Sequence, residues 1–408
     1  MVMTSSKKDT RYFSLDFWRG AACLLIVVYH SSFYVNENPA NQFSDSLSKF
    51  IFRMIDHAWL GVPLFFVISG YCITAACDST RNKAHPLRQY FFRRFRRIFP
   101  PYWIYCLLLL AAMVAASKMG FPRLFCDDIH GDHPLASFSV FQWLGNLSLT
   151  EIWRANVIGE RRWFFVGQSW SLCYEEQFYA ICGLLLLLSR RWFFRGAGVM
   201  TLLVGVVVLV NSFVTPLPVT GFFFDGRWLL FAAVILVYFR LHYGRPRFVK
   251  VAGLGLLAAG CAALALRLRE PSAHLEEYYV GFFFAFLISV LYRWDVAIEM
   301  SRVLRPITWC GTMCYSLYLI HWPVVKITSH LIYAVGVRGP WPTLAITMPV
   351  SVFSAVAAGW GFHLLVERRF LNTQPVLPWH RSAPLATAPV TASQSSPALP
   401  TAPPSVPV

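Results

Sequence analysis

The sequence predicts an all-α protein, a polytopic membrane helix bundle of about ten transmembrane helices with both termini on the cytoplasmic side. Three observations carry that expectation. Apolar runs of about 20 residues, the length that crosses a bilayer core, recur along the 408-residue chain. Hydrophobic residues make up 56% of it and charged residues only 14%, a balance unlike that of water-soluble domains. The basic residues also concentrate in alternate inter-span segments.

Ten spans are read at 14–34, 58–77, 98–117, 169–188, 198–215, 222–239, 251–267, 278–294, 306–325 and 342–366. With Arg267 and Arg293 counted in the loops they adjoin, the cytoplasmic segments hold 23 Lys and Arg against 5 acids, and the external ones 11 of each. That bias is the positive-inside pattern and predicts N-in, C-in. The formal charge of +16 is then mainly a topology signature. It calls for anionic headgroups or an anionic cytosolic ligand, not nucleic acid.

The first run carries Arg19 and lacks a small-residue cleavage pattern, so it reads as a retained span, not a signal peptide. The organisation expected is a cytoplasmic N-terminus (1–13), a membrane domain (14–370) with a long external loop (118–168), and a Pro/Ala/Ser-rich disordered cytoplasmic tail (371–408). No second folded domain is expected after the tenth span. Ten scattered cysteines do not form a disulfide framework. No Walker sequence or GxGxxG fingerprint is present, so no ATP or NAD site is inferred.

The first span holds the most informative residues. Asp16, Arg19 and His30 interrupt an otherwise apolar helix, and ionisable groups inside a span are functional candidates. Arg19 and His30 are eleven residues apart, so three turns leave them roughly 20° from eclipsed and roughly 16 Å apart along the axis. Asp16 lies one turn before Arg19 on the same face. Mutual neutralisation of Asp16 and Arg19, with His30 as a packing residue, explains the same pattern without a function.

The 78–97 segment is the most basic and ends in Arg93, Arg94, Arg96 and Arg97 before Phe99-Pro100-Pro101-Tyr102, read as the start of the third span. A positive-inside anchor accounts for most of these charges. The placement of Arg94 and Arg97 one turn apart suits a phosphate. The external loop is too long for a connector, and its 138–149 part is of a length to lie in the membrane interface. Cys126, Asp127, Asp128, His130, Asp132 and His133 are ligand types, yet their spacing matches no zinc or calcium pattern. No metal is expected. A solvated loop or part of an acceptor mouth is.

The fourth span opens Ser169-Trp170-Ser171-Leu172-Cys173-Tyr174-Glu175-Glu176. Either Glu176 points to the interface while Glu175 pairs locally, or one carboxylate shares a cavity with His30, orienting it or binding a hydroxyl substrate. Asp225 and Arg227, two apart, would not face each other on a regular helix. His321 is a second intramembrane histidine, in Tyr315-Ser316-Leu317-Tyr318-Leu319-Ile320-His321-Trp322-Pro323, where aromatic neighbours also suit an interface belt.

Taken together, six stretches resemble the integral-membrane acyltransferase 3 family, in its order, from residue 15 to about 325. They are LDFWRG with Arg19 and His30 in the arginine-x10-histidine spacing, GVPLFFVISGYCI with Ser69, RRFRRIFPPYW with Arg94 and Arg97, WSLCYEEQFY with Glu175, RWLLFAA with Arg227, and YSLYLIHWP with His321. Tyr71 and Tyr174 depart from residues common at those places. The resemblance implies a ten- or eleven-span bundle, here without the esterase-like domain some members carry. The implied reaction moves an acyl group, usually acetyl, from cytosolic acyl-coenzyme A to a hydroxyl of a carbohydrate-containing acceptor, in a bacterial cytoplasmic (inner) membrane. Acyl-coenzyme A would be a substrate, and no permanently bound cofactor is expected.

In that scheme His30 is the general base. Arg19 holds donor phosphate or pantetheine, and Arg94 and Arg97 hold the coenzyme A phosphates. Glu175 fixes the imidazole or the acceptor. Ser69, Tyr174 or a backbone amide supplies the oxyanion donor. Asp16, Arg227 and His321 are secondary candidates. The competing class is a proton-coupled transporter, since intramembrane Asp, Glu and His chains also relay protons. It predicts a repeat between the two halves, and the basic 78–97 segment and the long loop have no second-half counterparts.

Overall fold

The helix that opens at Leu15 starts where a carboxylate from far along the chain meets backbone amides just before it. The amides of Phe13 and Ser14 donate to Asp295, at 2.6 and 2.8 Å, and the Ser14 hydroxyl donates to the same carboxylate. These are donors that a helix start leaves unsatisfied. The computed structural model describes residues 12–37, 45–83, 85–121, 124–125, 137–188, 191–213, 221, 223–269 and 275–371.

Among the described residues the chain is helical and has no strand. In order come α1 (Leu15–Glu37), α2 (Ser46–Asp56), α3 (Gly61–Thr80), α4 (Pro86–Lys118), α5 (Val140–Leu147), α6 (Glu151–Ile158), α7 (Ser169–Leu188) and α8 (Phe193–Phe213). Then come α9 (Trp228–Tyr243), α10 (Pro246–Arg269), α11 (Glu276–Leu291), α12 (Asp295–Met300), α13 (Arg305–Thr312), α14 (Cys314–Ala334), α15 (Pro340–Pro342) and α16 (Met348–Leu365).

Among the described residues seven helical stretches are long and apolar enough to cross a membrane: Ser46–Thr80, Pro86–Lys118, Ser169–Leu188, Phe193–Asn211, Arg247–Arg269, Glu276–Met300 and Pro340–Arg369. The three remaining predicted segments fall on α1, on the 16-residue α9, and on the α13–α14 pair.

Several boundaries differ from the sequence reading for physical reasons. The segment 306–325 is two helices, broken at Met313. The run Phe99-Pro100-Pro101-Tyr102 lies inside α4 and does not start it. Pro100 and Pro101 leave the Arg96 and Arg97 carbonyls without their helical amide donors, and in the same stretch the Tyr315 hydroxyl donates to the Ile98 carbonyl at 2.9 Å. The helix α2 was not foreseen. It has Asp45 as its N-cap and turns Leu47, Phe50 and Met54 outward. The 138–149 stretch does form a short helix, α5, with a Ser139–Gln142 capping box and exposed Val140, Phe141 and Leu144, the amphipathic form expected of an interfacial segment. The 126–133 cluster, residues 1–11 and the tail from 372 lie outside the described residues.

Helix α1 sits among α3, α13, α14 and α16. Its crossing with α13 is unusually close. A Cβ on Gly20 would lie 1.9 Å from the Ile307 carbonyl oxygen, and one on Gly311 would lie 1.6 Å from the Asp16 carbonyl oxygen. Small residues let membrane helices approach backbone to backbone in this way. On α14 and α16, Ser316 and His363 both bond the buried Glu367 carboxylate, at 2.5 and 2.8 Å. The nine described cysteines are all free thiols.

Candidate functional site

Helix α1 runs unbroken from Leu15 to Glu37, so Arg19 and His30 belong to one rigid element. Asp16 pairs with Arg19 at 3.0 Å, as the one-turn spacing implied. The second guanidinium nitrogen of Arg19 reaches the Cys72 sulfur on α3 at 2.7 Å, a partner with no local sequence signature.

Helices α1 and α14 align in parallel. The Cys23 thiol meets the Cys314 carbonyl, and seven residues further along both helices His30 meets His321. Their ring centroids are 5.1 Å apart. His321 is fully buried, and its Nδ1 sits 2.7 Å from the Tyr318 carbonyl and 3.1 Å from that of Leu317. A carbonyl only accepts, so Nδ1 carries the hydrogen, and the lone pair of the neutral ring is on Nε2. Nε2 is enclosed without a hydrogen-bond partner. His30 is partly exposed. The interface-belt placement considered for His321 is therefore wrong: packing of α14 against α1 and α16 puts it inside the bundle.

A second polar group lies on α3, α4 and α7. The Ser69 hydroxyl donates to Glu175, and both residues are buried. Arg94, Arg97 and Arg19 lie close enough for their charges to act on the Glu175 carboxylate. Arg94 also sits over the Tyr179 ring, 5.2 Å from its centroid. Charges from α1 and α4 thus act on one buried carboxylate, which also bonds one hydroxyl. Glu175 bonds Ser69 and no imidazole, and backbone carbonyls hold the His321 tautomer. Glu176 does not face the interface: its Oε1 is enclosed beside Glu175 and Arg94.

The remaining candidates form a third group. Arg227 grips Glu277 with two parallel bonds of 2.9 and 2.8 Å and donates to the Tyr174 hydroxyl at 2.7 Å. Tyr174 in turn donates to Asp225. Arg227 and Asp225 do meet, at 3.4 Å, against the sequence reading. Asp225 and Gly226 belong to a turn before α9, and Gly226 takes φ 75°, so helical spacing does not apply. Tyr174 and Arg227 tie α7, α9 and α11 together. Ser69 and Tyr174, considered as oxyanion donors, both already donate to carboxylates.

Part of the 118–168 loop packs at one end of α7. Gln168 donates to the Leu319 carbonyl at 3.1 Å, and Ser171 bonds the Tyr318 hydroxyl at 2.9 Å. The imidazole pair therefore lies within about a turn of the level where this loop enters the bundle. In the loop, Arg154 is clamped bidentately by buried Glu151 and also reaches Glu160, while Asn146 accepts from the Phe165 amide and donates to the Trp163 carbonyl. Among the described residues no group of three or more His, Cys, Asp or Glu is arranged to hold a metal ion.

A helical membrane bundle that brings arginines, carboxylates and paired histidines together between its helices defines an integral-membrane protein with a polar interior site. Residues 12–360 match the family described as an acyltransferase domain, and the chain belongs to this integral-membrane acyltransferase 3 family. It is 25% identical to the peptidoglycan O-acetyltransferase OatA of Listeria monocytogenes over 90% of this chain and 57% of that protein. It is 26% identical to the exopolysaccharide production protein ExoZ of Rhizobium meliloti over 76% of this chain and 89% of that one. A putative O-acetyltransferase of Staphylococcus aureus (strain COL) is 26% identical over 81% of this chain and 53% of its own length. The chain thus spans little more than half the length of two of these relatives. No solved structure matches it.

Proposed function

We propose that this membrane O-acyltransferase takes its acyl group, acetyl in the first instance, from cytosolic acyl-coenzyme A and passes it to a hydroxyl of a carbohydrate-containing acceptor in the bacterial cytoplasmic membrane. The observation that carries the reading is the separation of two polar groups along α1: the cations and Glu175 near Arg19, and the imidazole pair near His30. The relatives' names, a peptidoglycan O-acetyltransferase and an exopolysaccharide production protein, support a glycan acceptor.

The polyanionic donor suits the arginine end. Arg94 and Arg97 are partly exposed, one turn apart, and free to offer planar forks to phosphate oxygens. Arg19, fixed by Asp16, faces the same region. The pantetheine arm would then run up α1 towards His30, roughly 16 Å away by helix rise.

There the acceptor hydroxyl oxygen forms a bond to the thioester carbonyl carbon as its proton passes to the His30 ring. Collapse of the tetrahedral intermediate breaks the carbon–sulfur bond, and the proton returns to the departing thiolate. His30 takes this role because it is partly exposed, whereas His321 is fully enclosed and cannot touch substrate. His321 is a positioning residue that holds the His30 ring. Glu175 and Ser69 order the arginines around the donor.

The test is the purified protein with acetyl-coenzyme A labelled in the acetyl group. The reading expects acceptor-dependent release of free coenzyme A thiol and label in a glycan. Proton flux across proteoliposomes with no thiol release at any acceptor would favour the transporter class.

A further inference from the structure

A cavity of about 850 Å³ lies apart from the polar site, in the wedge where α8 and α10 flank α9. That volume is within the roughly 300–1,000 Å³ of small-molecule sites. None of Arg19, Arg94, Arg97, Glu175 or His30 lines it. Its mouth is basic: Arg81 just past α3, and Arg191 and Arg195 at the start of α8. Tyr243 at the end of α9 and Phe248 at the start of α10 place that mouth at one end of the bundle.

The arginines are held as a cradle. Arg195 and Arg191 lie over the Trp192 ring, at 3.8 and 5.6 Å from its centroid. Arg81 is fixed by Asp78 at 2.9 Å and by the Tyr243 hydroxyl at 3.2 Å. Among the described residues neither Arg191 nor Arg195 has a carboxylate partner, so two positive charges at the mouth stand uncompensated. Below them the walls are mainly apolar, with glycines on two of the helices. Gly198 on α8 and Gly255 on α10 both line the cavity, and a Cβ on either would meet nothing within 4 Å. Leu202, 72% exposed, lines it from the outward face of α8, so the cavity opens sideways on the surface of the bundle that lipid chains cover.

From these features we propose that the wedge is a binding site for an anionic phospholipid, with its phosphate between Arg191 and Arg195 and one acyl chain in the slot past Gly198 and Gly255. Basic pockets between membrane helices at the cytoplasmic side recognise such headgroups, and guanidinium forks fit phosphate oxygens. An apolar slot open to the bilayer fits an acyl chain. The site is independent of the acyl-transfer reading, since it shares no residue with it.

The experiment is native mass spectrometry of the full chain purified with equal amounts of phosphatidylglycerol and phosphatidylcholine, counting the lipid retained. The parent protein should keep phosphatidylglycerol preferentially. Arg191→Gln with Arg195→Gln should lower that preference by on the order of tenfold. Gly198→Leu with Gly255→Leu should lose the bound lipid while remaining folded, because both positions have open space and leucine is the better helix former. Equal retention of the two lipids by the parent would overturn the proposal, as would unchanged phosphatidylglycerol binding in the arginine pair. Displacement of the lipid by coenzyme A, lost in the same arginine variant, would also overturn it by making this the donor's site.

Discussion

His30 and His321, 291 residues apart in the chain, lie ring against ring at 5.1 Å because α1 and α14 run parallel in register. Only one of the two imidazoles is accessible. This asymmetry is the reason that contact with substrate is proposed for His30 and positioning for His321. His321→Gln is expected to lower kcat while leaving the KM for acyl donor near that of the parent. The acidic limb of the pH–rate profile, where a protonated base is lost, should shift, because the neighbour of the titrating ring has changed. Steady-state kinetics across pH check this. A rise in donor KM alone, with an unmoved profile, would make His321 part of the donor path.

Arg94 and Arg97 sit one turn apart on α4 beside Glu175. Replacing both with Gln should weaken binding of coenzyme A, and replacing both with Lys should restore it only in part, since lysine keeps the charge and loses the fork. Calorimetry with coenzyme A in detergent measures it. Normal binding by a Gln pair that inserts poorly would leave these residues as a topology anchor.

The bidentate Arg227–Glu277 pair holds α9 to α11. Breaking a largely buried ion pair from one side costs roughly 3–5 kcal/mol when the charge left behind is unpaired, and here Asp225, 3.4 Å from Arg227, offsets part of that loss. Glu277→Gln should therefore lower thermal stability in detergent clearly. The double variant with Arg227→Gln should lose less than the sum of the two single changes. Additive losses would mean that the two side chains do not act as a pair.

The charge bias between segments predicts N-in, C-in with 118–168 external. In a background without accessible native cysteines, a cysteine at position 130 should label from outside and one at position 83 from inside. The reverse pattern would invert the proposed donor and acceptor sides together.

Much of this was legible in the chain. Each of the ten apolar segments overlaps helix among the described residues, and seven of those helical stretches are long and apolar enough to cross a membrane, because burial of span-length apolar runs dominates everything else in a bilayer. Arg19 and His30 share a face because they share one helix, and Asp16 pairs with Arg19 for the same local reason. What was hidden depends on contacts between distant segments. Nothing near Cys72 announces that it receives a bond from Arg19, and nothing near His321 announces His30. Asp225 and Arg227 were misread because a helical rule was applied to a turn. The double proline was taken for a helix start because proline favours that position, while α4 carries it internally with a tyrosine hydroxyl at the preceding turn.

The central claim, that His30 performs base catalysis of acyl transfer from acyl-coenzyme A, is tested most directly by one comparison. Label transfer from acetyl-coenzyme A to the glycan acceptor is measured for the parent and for His30→Gln at matched amounts of inserted protein. Glutamine fits the space and keeps hydrogen bonding but cannot take up the proton. The account predicts a loss on the order of a hundred- to ten-thousand-fold, with coenzyme A binding retained at Arg94 and Arg97. Transfer close to that of the parent would contradict it and return His30 to a packing role.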